Sequence, residues 1–431
     1  MKNINIIKGN ILTSISKKQV QFLPSGFMAF GSNGTILEVS EKDIREKYNK
    51  ATFQDFSDKL ILPGFVDTHN HLSQLGLEGI YKGELLEWLN ELIFPRERKM
   101  EDTKYAKKIS ELFFRELLRN GITTTSTYVS NNKNATNIAF EAAAKAGIRA
   151  NIGNVLMDQN APEYLVKNTD TMMRESEQLI KKWHGFDDRL HYAITPRFAI
   201  ACSFDLLKRA AELAHKYDLG IQTHLAENES ELQLVKKYFP DKKNYTDVYY
   251  QAGLLSSKTI VAHCIYLDAA ERKILKKTGT KISHCPSSNR FLISGLMPYR
   301  EYEKEKLPIA LGTDISAGYN LSILDEMKEA IETSKMINFV NGEKTHNPIS
   351  AEEAFYLGTL GGATALGLGE IIGSLEKGKS ADFIILNPEK SFFNIDNDFF
   401  ANPHQILAKI IYAGNRQIID QVFIRGIEVE K

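Results

Sequence analysis

Apolar positions in the central part of this chain fall in short, nearly unbroken runs separated by longer stretches of helical spacing. The runs are LILPGFVDTH (60–69), GITTTSTYV (121–129), RANIGNVL (149–156), RLHYAITP (189–196), LGIQTHLAE (219–227), TIVAHC (259–264), TKISHCP (280–286) and LPIALGTD (307–314). Most of them lack the alternation of a half-buried strand and read as parallel strands covered on both faces. DTKYAKKISELFFRELLRN (102–120), SFDLLKRAAELAHKYD (203–218) and LSILDEMKEAIETSKMI (321–337) read instead as helices between strands. Eight strands with mostly helical crossovers predict an α/β fold of the (β/α)8 TIM-like barrel type.

The flanks have a different texture. NINIIKGNILTS, GFMAFGSNGTILEVS and ATFQDFS near the start, and SADFIILNP and QVFIRGIEVE near the end, are strand-like pieces with turn signals and little helix. They predict a small composite β-sandwich domain built from both chain ends, at 1–61 and 371–431, beside a barrel at 62–370.

Composition narrows the function classes. The chain has 431 residues, with 54 Lys+Arg against 54 Asp+Glu, so the formal net charge is zero. Nucleic-acid and membrane-surface binders carry a basic excess or stripe, and neither is present; a small, modestly polar ligand is expected. The opening MKNINIIKGNILTSISKK interrupts its apolar residues with Asn, Lys and Gly, unlike a secretory leader. Three scattered cysteines, Cys202, Cys264 and Cys285, without CxxC spacing, point to reduced thiols and a cytoplasmic setting.

The histidines carry the chemistry. His69, His71, His224, His263 and His284 all fall at C-terminal ends of predicted strands, and Asp314 ends the eighth. In a barrel of this type those ends form one active-site face, so six ligand-type side chains converge there. His69 and His71, two apart on a strand, project to the same side about 7 Å apart at Cα and can address one ion, with Asn70 turned into the barrel wall. His224 begins HLAE, whose Glu227 is placed to carry protons beside a metal-activated water; a helix-start glutamate is the plain alternative. Three imidazoles, His69, His71 and His224, with the carboxylate of Asp314, suit one divalent metal, Zn2+ or Fe2+ rather than Mg2+ or Ca2+. His263 is open between a further ligand and a hydrogen bond to bound hydroxide, and the second reading is preferred. For His284 the ligand, pocket and structural readings stand level. His184, His191, His215, His346 and His404 read as structural or surface.

One motif is a decoy. GSLEKGKS (373–380) matches the P-loop pattern letter for letter, yet ADFIILNP, a strand, follows where the phosphate-binding helix should start. The HxE with a PCxxC pair that cytidine-deaminase chemistry needs is absent.

Taken together, HNH after PGFVDT, HLAE, VAHC, SHCPSSN, LGTD and the ending GSLEKGKSADFIIL resemble the amidohydrolase superfamily over about residues 60–385. RLHYAITPRF has no lysine where binuclear members carry one, which resembles the mononuclear aminohydrolase branch. HLSQ (71–74), LLEWLNELIFPRE (85–97), TPRF (195–198) and GTDISAGYNLSILD (312–325) are most similar to the guanine deaminases of that branch. The resemblance implies hydrolytic deamination of a purine, a catalytic set of Glu227, Asp314 and His263, and a Zn2+ cofactor with Fe2+ the alternative. It implies substrate contacts from His71, Ser73, Gln74, Trp88, Arg197 and Phe198 together with Glu227 and Asp314, and a homodimer. Chemistry agrees: the forked donors of Arg197 match guanine O6 and N7, and Gln74, both donor and acceptor, suits an amide-like edge. An ion pair with a helix-end carboxylate is the plain reading of Arg197. Relatives acting on 8-oxoguanine, S-adenosylhomocysteine, methylthioadenosine or triazines, and a non-catalytic scaffold, are the competing expectations.

Overall fold

A computed structural model of the chain describes residues 4–342, 347–391 and 399–431. His346, expected at the surface, lies outside the described residues. The chain divides into two compact units. One comprises the residues up to Asp67, Arg115–Thr124 and those from Ser322 onward; the other is Thr68–Phe114 with Thr125–Leu321.

The strands are β1 (Ile4–Ser16), β2 (Gln19–Gly31), β3 (Ile36–Ser40), β4 (Thr52–Pro63), β5 (Phe65–His71), β6 (Ile122–Tyr128), β7 (Arg149–Gly153) and β8 (Val155–Leu156). They continue as β9 (Leu190–Pro196), β10 (Gly220–Leu225), β11 (Thr259–His263), β12 (Lys281–His284), β13 (Ile309–Leu311), β14 (Phe383–Leu386), β15 (Ile419–Ile424) and β16 (Ile427–Glu428).

Both chain ends share one seven-stranded sheet, ordered β16-β15-β14-β4-β1-β2-β3. Its side chains alternate between two apolar clusters, as the two-residue period of a strand requires. Ile7, Met28 and Phe30 join Ile61, Phe383 and Ile385 in one cluster, while their neighbours Ile6, Phe27 and Ala29 enter another with Ile44.

The second sheet runs β13-β12-β11-β10-β9-β7-β6-β5 with β8 on β9, an almost closed parallel barrel. Its registers advance in step, with Thr223 opposite Val261, Val261 opposite Ile282 and Ile282 opposite Ile309. Between the end strands the Asp314 N–H donates to the His69 carbonyl at 2.8 Å. The strands that carry the site are buried along most of their length, which accounts for the continuous apolar runs.

Two expectations need local correction. The run 60–69 is two strands, not one: Ile61 pairs with Ile385 in the seven-stranded sheet, and the barrel strand starts at Phe65. The crossing falls at Gly64, where an added Cβ would lie 2.1 Å from Thr123 Oγ1, so only glycine lets the chain pass. The C-terminal flank also holds a helix, Pro403–Ala413, capped by the Asn402 side chain and burying Ile406, Leu407, Ile410 and Ile411. Its signal, Asn-Pro before apolar pairs four apart, was legible but sat between strand-like segments.

The P-loop lookalike runs through turns into β14, and its Lys379 is bonded to Ser374 at 2.6 Å within the segment. Among the described residues no helix is long and apolar enough to cross a membrane.

The crossing at Gly64 yields a stability test. Gly64→Ala is expected to cost about 1–3 kcal/mol through overpacking. Thr123→Ala should restore part of it, because Thr123 Oγ1 and Cγ2 are the nearest obstacles; thermal melts of the two single variants and the double measure this.

Candidate functional site

The barrel's C-terminal strand ends place the expected residues at the mouth of one cavity. His69 and His71 end β5, His224 is next to last in β10, His263 ends β11, and Asp314 lies three residues beyond β13. Asn70 faces away and donates to Thr125 Oγ1 at 2.7 Å, as the alternation of the strand predicts. Ala226 (φ 52°), His263 (φ 72°) and Asp314 (φ 45°) adopt left-handed backbone, a strained conformation for residues with a Cβ. Such strain concentrates where a strand end must aim a side chain at a site.

Around Asp314 the donor atoms are tightly gathered. Its Oδ1 lies 3.2 Å from His69 Nε2 and 3.3 Å from His71 Nε2, and His71 Nε2 lies 3.2 Å from His224 Nε2. Tetrahedral ligands about 2.1 Å from an ion stand roughly 3.4 Å from one another, so these spacings fit one metal. His263 Nε2 is farther out, 3.9 Å from Asp314 Oδ2 and 3.5 Å from Glu227 Oε2, with no hydrogen-bond partner among the described residues. One atom from each of His69, His224, His263 and Asp314 nevertheless lies within 4.8 Å of the others, so His263 is within reach of the same ion. The imidazole nitrogens and the carboxylate form a donor set that such an ion requires.

Electrostatics prepare that set. Burial drives the His71 imidazole down to about 3 and holds His224 well below the ordinary histidine value, leaving both neutral. Burial alone would raise Asp314, but the hydrogen bonds from His69 and His71 outweigh it and keep the carboxyl well below the usual range. Glu227 goes the other way: burial, reinforced by the charge on Asp314, pushes it up to about 8, so it holds a proton at neutral pH. Its carboxyl accepts from Ser294 Oγ at 3.1 Å.

A cavity opens onto this cluster. Gln74, Trp88, Arg197 and Phe198 line it with His71, His224, Glu227, His263 and Asp314. Ser73 does not; it is fully buried in the 3-10 turn Leu72–Gln74, of which Gln74 is the residue that lines the cavity. The Gln74 side-chain carbonyl accepts from the Ser316 N–H at 3.1 Å, which leaves its NH2 end for a ligand. One acceptor position of this donor-and-acceptor side chain is thus already engaged within the protein. Arg197 lines the cavity, and its Nη1 donates to Glu97 Oε1 at 2.5 Å, an ion pair with a carboxylate of the helix Phe94–Arg98.

His284 is buried, its Nδ1 has no hydrogen-bond partner among the described residues, and it neither lines the cavity nor joins the donor group. His184, His215 and His404 are exposed and His191 partly so, all remote in role from the site.

Several supporting residues carry no motif of their own. Ser288 Oγ donates to Asp314 Oδ2 at 2.5 Å, and Asn289 Oδ1 meets His263 Nδ1 at 2.9 Å. Both sit in SHCPSSN, where the residue types were visible but not their targets. Tyr128 packs its ring 4.7–5.0 Å from those of His69, His71 and His224. The Arg197 carbonyl meets His224 Nδ1 at 2.7 Å, orienting the ring. Glu231 closes a capping box with Asn228 and accepts the Glu227 N–H at 2.9 Å, fixing the backbone that bears the acid.

The Amidohydrolase family profile matches residues 60–429. A guanine deaminase of Escherichia coli (strain K12) is 39% identical over 372 residues, 86% of this chain and 80% of that protein. The guanine deaminase of Mus musculus is 34% identical over 98% of this chain and 96% of its own. The crystal structure of guanine deaminase from C. acetobutylicum with bound guanine in the active site superposes with a TM-score of 0.94 at 33% identity, covering 99% of this chain and all of that one.

The raised Glu227 predicts a pH-dependent stability cost. A folded-state pKa of about 8 against 4.5 means that stability present below pH 4.5 is lost as pH rises towards 8. In metal-free protein, Glu227→Gln is therefore expected to melt higher than the parent at pH 8, with the gap closing towards pH 4. Melting curves across that range check it.

Proposed function

The chain belongs to the amidohydrolase family, and from that membership and its site we infer that it hydrolyses guanine to xanthine and ammonia. The observation that carries this is the likeness, over nearly the whole chain, to a guanine deaminase solved with guanine in its active site. The cavity supports it with donors at Gln74 and Arg197 for the acceptor edge of a purine, and the apolar walls of Trp88 and Phe198 for its faces.

We propose that His69, His71, His224 and Asp314 hold one Zn2+, with Fe2+ the alternative for the same donors. When bound, such an ion supplies a Lewis acid that makes water reactive near neutral pH. The side chains do the rest. Asp314, charged, takes a proton from the attacking water as its oxygen bonds to C2. Glu227, protonated, gives its proton to N3; it then takes the hydroxyl proton of the C2 adduct and passes it to the amine, which leaves as ammonia while C2 becomes a carbonyl, and the proton held by Asp314 returns to Glu227. His263, steadied by Asn289 and 3.5 Å from Glu227, holds the attacking oxygen in line. Atoms balance as guanine plus water to xanthine plus ammonia.

The proposed homodimer rests on the family resemblance. The proposed cytoplasmic setting rests on Cys202, Cys264 and Cys285 being buried, with none in a disulfide.

Ammonia release from a panel of guanine, 8-oxoguanine, adenosine derivatives, pterins and triazines tests the substrate. Guanine should be turned over fastest; turnover of an adenosine derivative without guanine would overturn the reading. Chelation should abolish activity and added Zn2+ restore it. Glu227→Gln should retain metal yet lower kcat by about 10²–10⁴-fold, the scale of a lost proton carrier.

A further inference from the structure

Among the described residues Arg197 is the one guanidinium lining the cavity, and its placement depends on a segment that no motif of the metal centre includes. Arg197 Nη1 donates to Glu97 Oε1 at 2.5 Å, with the two side chains 3% and 1% exposed. The guanidinium carbon lies 5.2 Å from the centre of the Phe94 ring. Phe94 and Glu97 belong to one short helix, Phe94–Arg98, with Pro95 in its first turn. From that same helix Arg96 Nη2 donates to the Leu75 carbonyl at 2.8 Å, next to Gln74.

One element therefore holds the Arg197 side chain and the backbone just after Gln74. A ring below and a carboxylate beside a guanidinium leave it little rotational freedom. The contact to Glu97 uses one N–H of five, leaving others for a ligand. Burial makes the pair costly to break, since either partner alone would be an uncompensated charge. Glu97 Oε2 has no hydrogen-bond partner among the described residues, so the carboxylate is not placed there to complete a local network of its own.

We propose that Glu97 is the positioning residue for purine selectivity: by clamping Arg197 against Phe94 it aims the guanidinium at the 6-oxo group of the substrate. The proposal rests on the guanine reading of the cavity. Glu97 does not line the cavity and acts through Arg197.

The test is binding rather than turnover. Hypoxanthine and purine both lack the 2-amino group and differ at the 6-oxo position, so neither is deaminated at C2. Their affinities for the metal-loaded full chain are measured by calorimetry for the parent, Glu97→Gln, Glu97→Met, Arg197→Met and the Glu97→Met/Arg197→Met double variant. The parent should favour hypoxanthine by about tenfold or more, the scale of one charge-assisted hydrogen bond. Both Glu97 variants should narrow that ratio severalfold while purine affinity stays nearly constant, and Glu97→Met should add nothing to Arg197→Met. A merely structural Glu97 would weaken both ligands by the same factor, and that result overturns the proposal. So does a Glu97 effect that persists in the Arg197→Met background. If Arg197→Met leaves the ratio unchanged, the reading of Arg197 fails and the proposal falls with it; if it narrows the ratio and Glu97→Gln does not, the proposal alone falls.

Discussion

A carboxylate buried this deeply must have partners, and Asp314 is the point on which this site turns. It lies just beyond the last barrel strand, 5% exposed, with His69, His71 and Ser288 all within hydrogen-bonding range of its oxygens. A charge in such surroundings is tolerable only when compensated, and the compensation here is hydrogen bonding from its neighbours, among imidazoles of which burial keeps His71 and His224 neutral. That combination, one negative group among neutral nitrogens, is also what a divalent ion completes. The same negative charge, added to burial, keeps a proton on Glu227. One residue thus helps to fix two opposite protonation states within the cavity.

Polar contacts behind the cavity wall hold this arrangement. Glu231 ties down the Glu227 backbone and accepts from Tyr245 Oη at 2.7 Å, while Tyr249 Oη donates to the His224 carbonyl at 2.8 Å. The HLAE segment is thereby braced at its histidine and its glutamate by groups that never reach the cavity. Fixing donors in advance of substrate is what makes them effective at developing charge.

How legible was this in the chain? Residues whose chemistry is unusual at a strand end were readable, because an imidazole or carboxylate closing an apolar run is costly to bury without an ion or a partner. Glu97, Ser288, Asn289 and Ser294 were not, for each is an ordinary polar residue until its partner is known. Glu97 and Arg197 are a hundred residues apart in the chain and 2.5 Å apart in space. The break at Gly64 was hidden for a related reason: Leu60 to Thr68 is one apolar run, and only the positions of Ile385 and Thr123 show that it serves two sheets.

Local pattern along the chain specified the alternation that closes a parallel barrel, the strand ends that carry imidazole and carboxylate side chains, and the pairing of HxH with HLAE and a terminal aspartate. Those follow from local periodicity, which two residues per strand repeat and 3.6 per helical turn impose on any chain. Tertiary structure alone decided that Gln74 commits its carbonyl to Ser316, that Ser73 stays in the wall, and that Arg197 is held by Glu97. Each of these depends on which distant atom arrives at hydrogen-bonding distance, and periodicity carries no information about that.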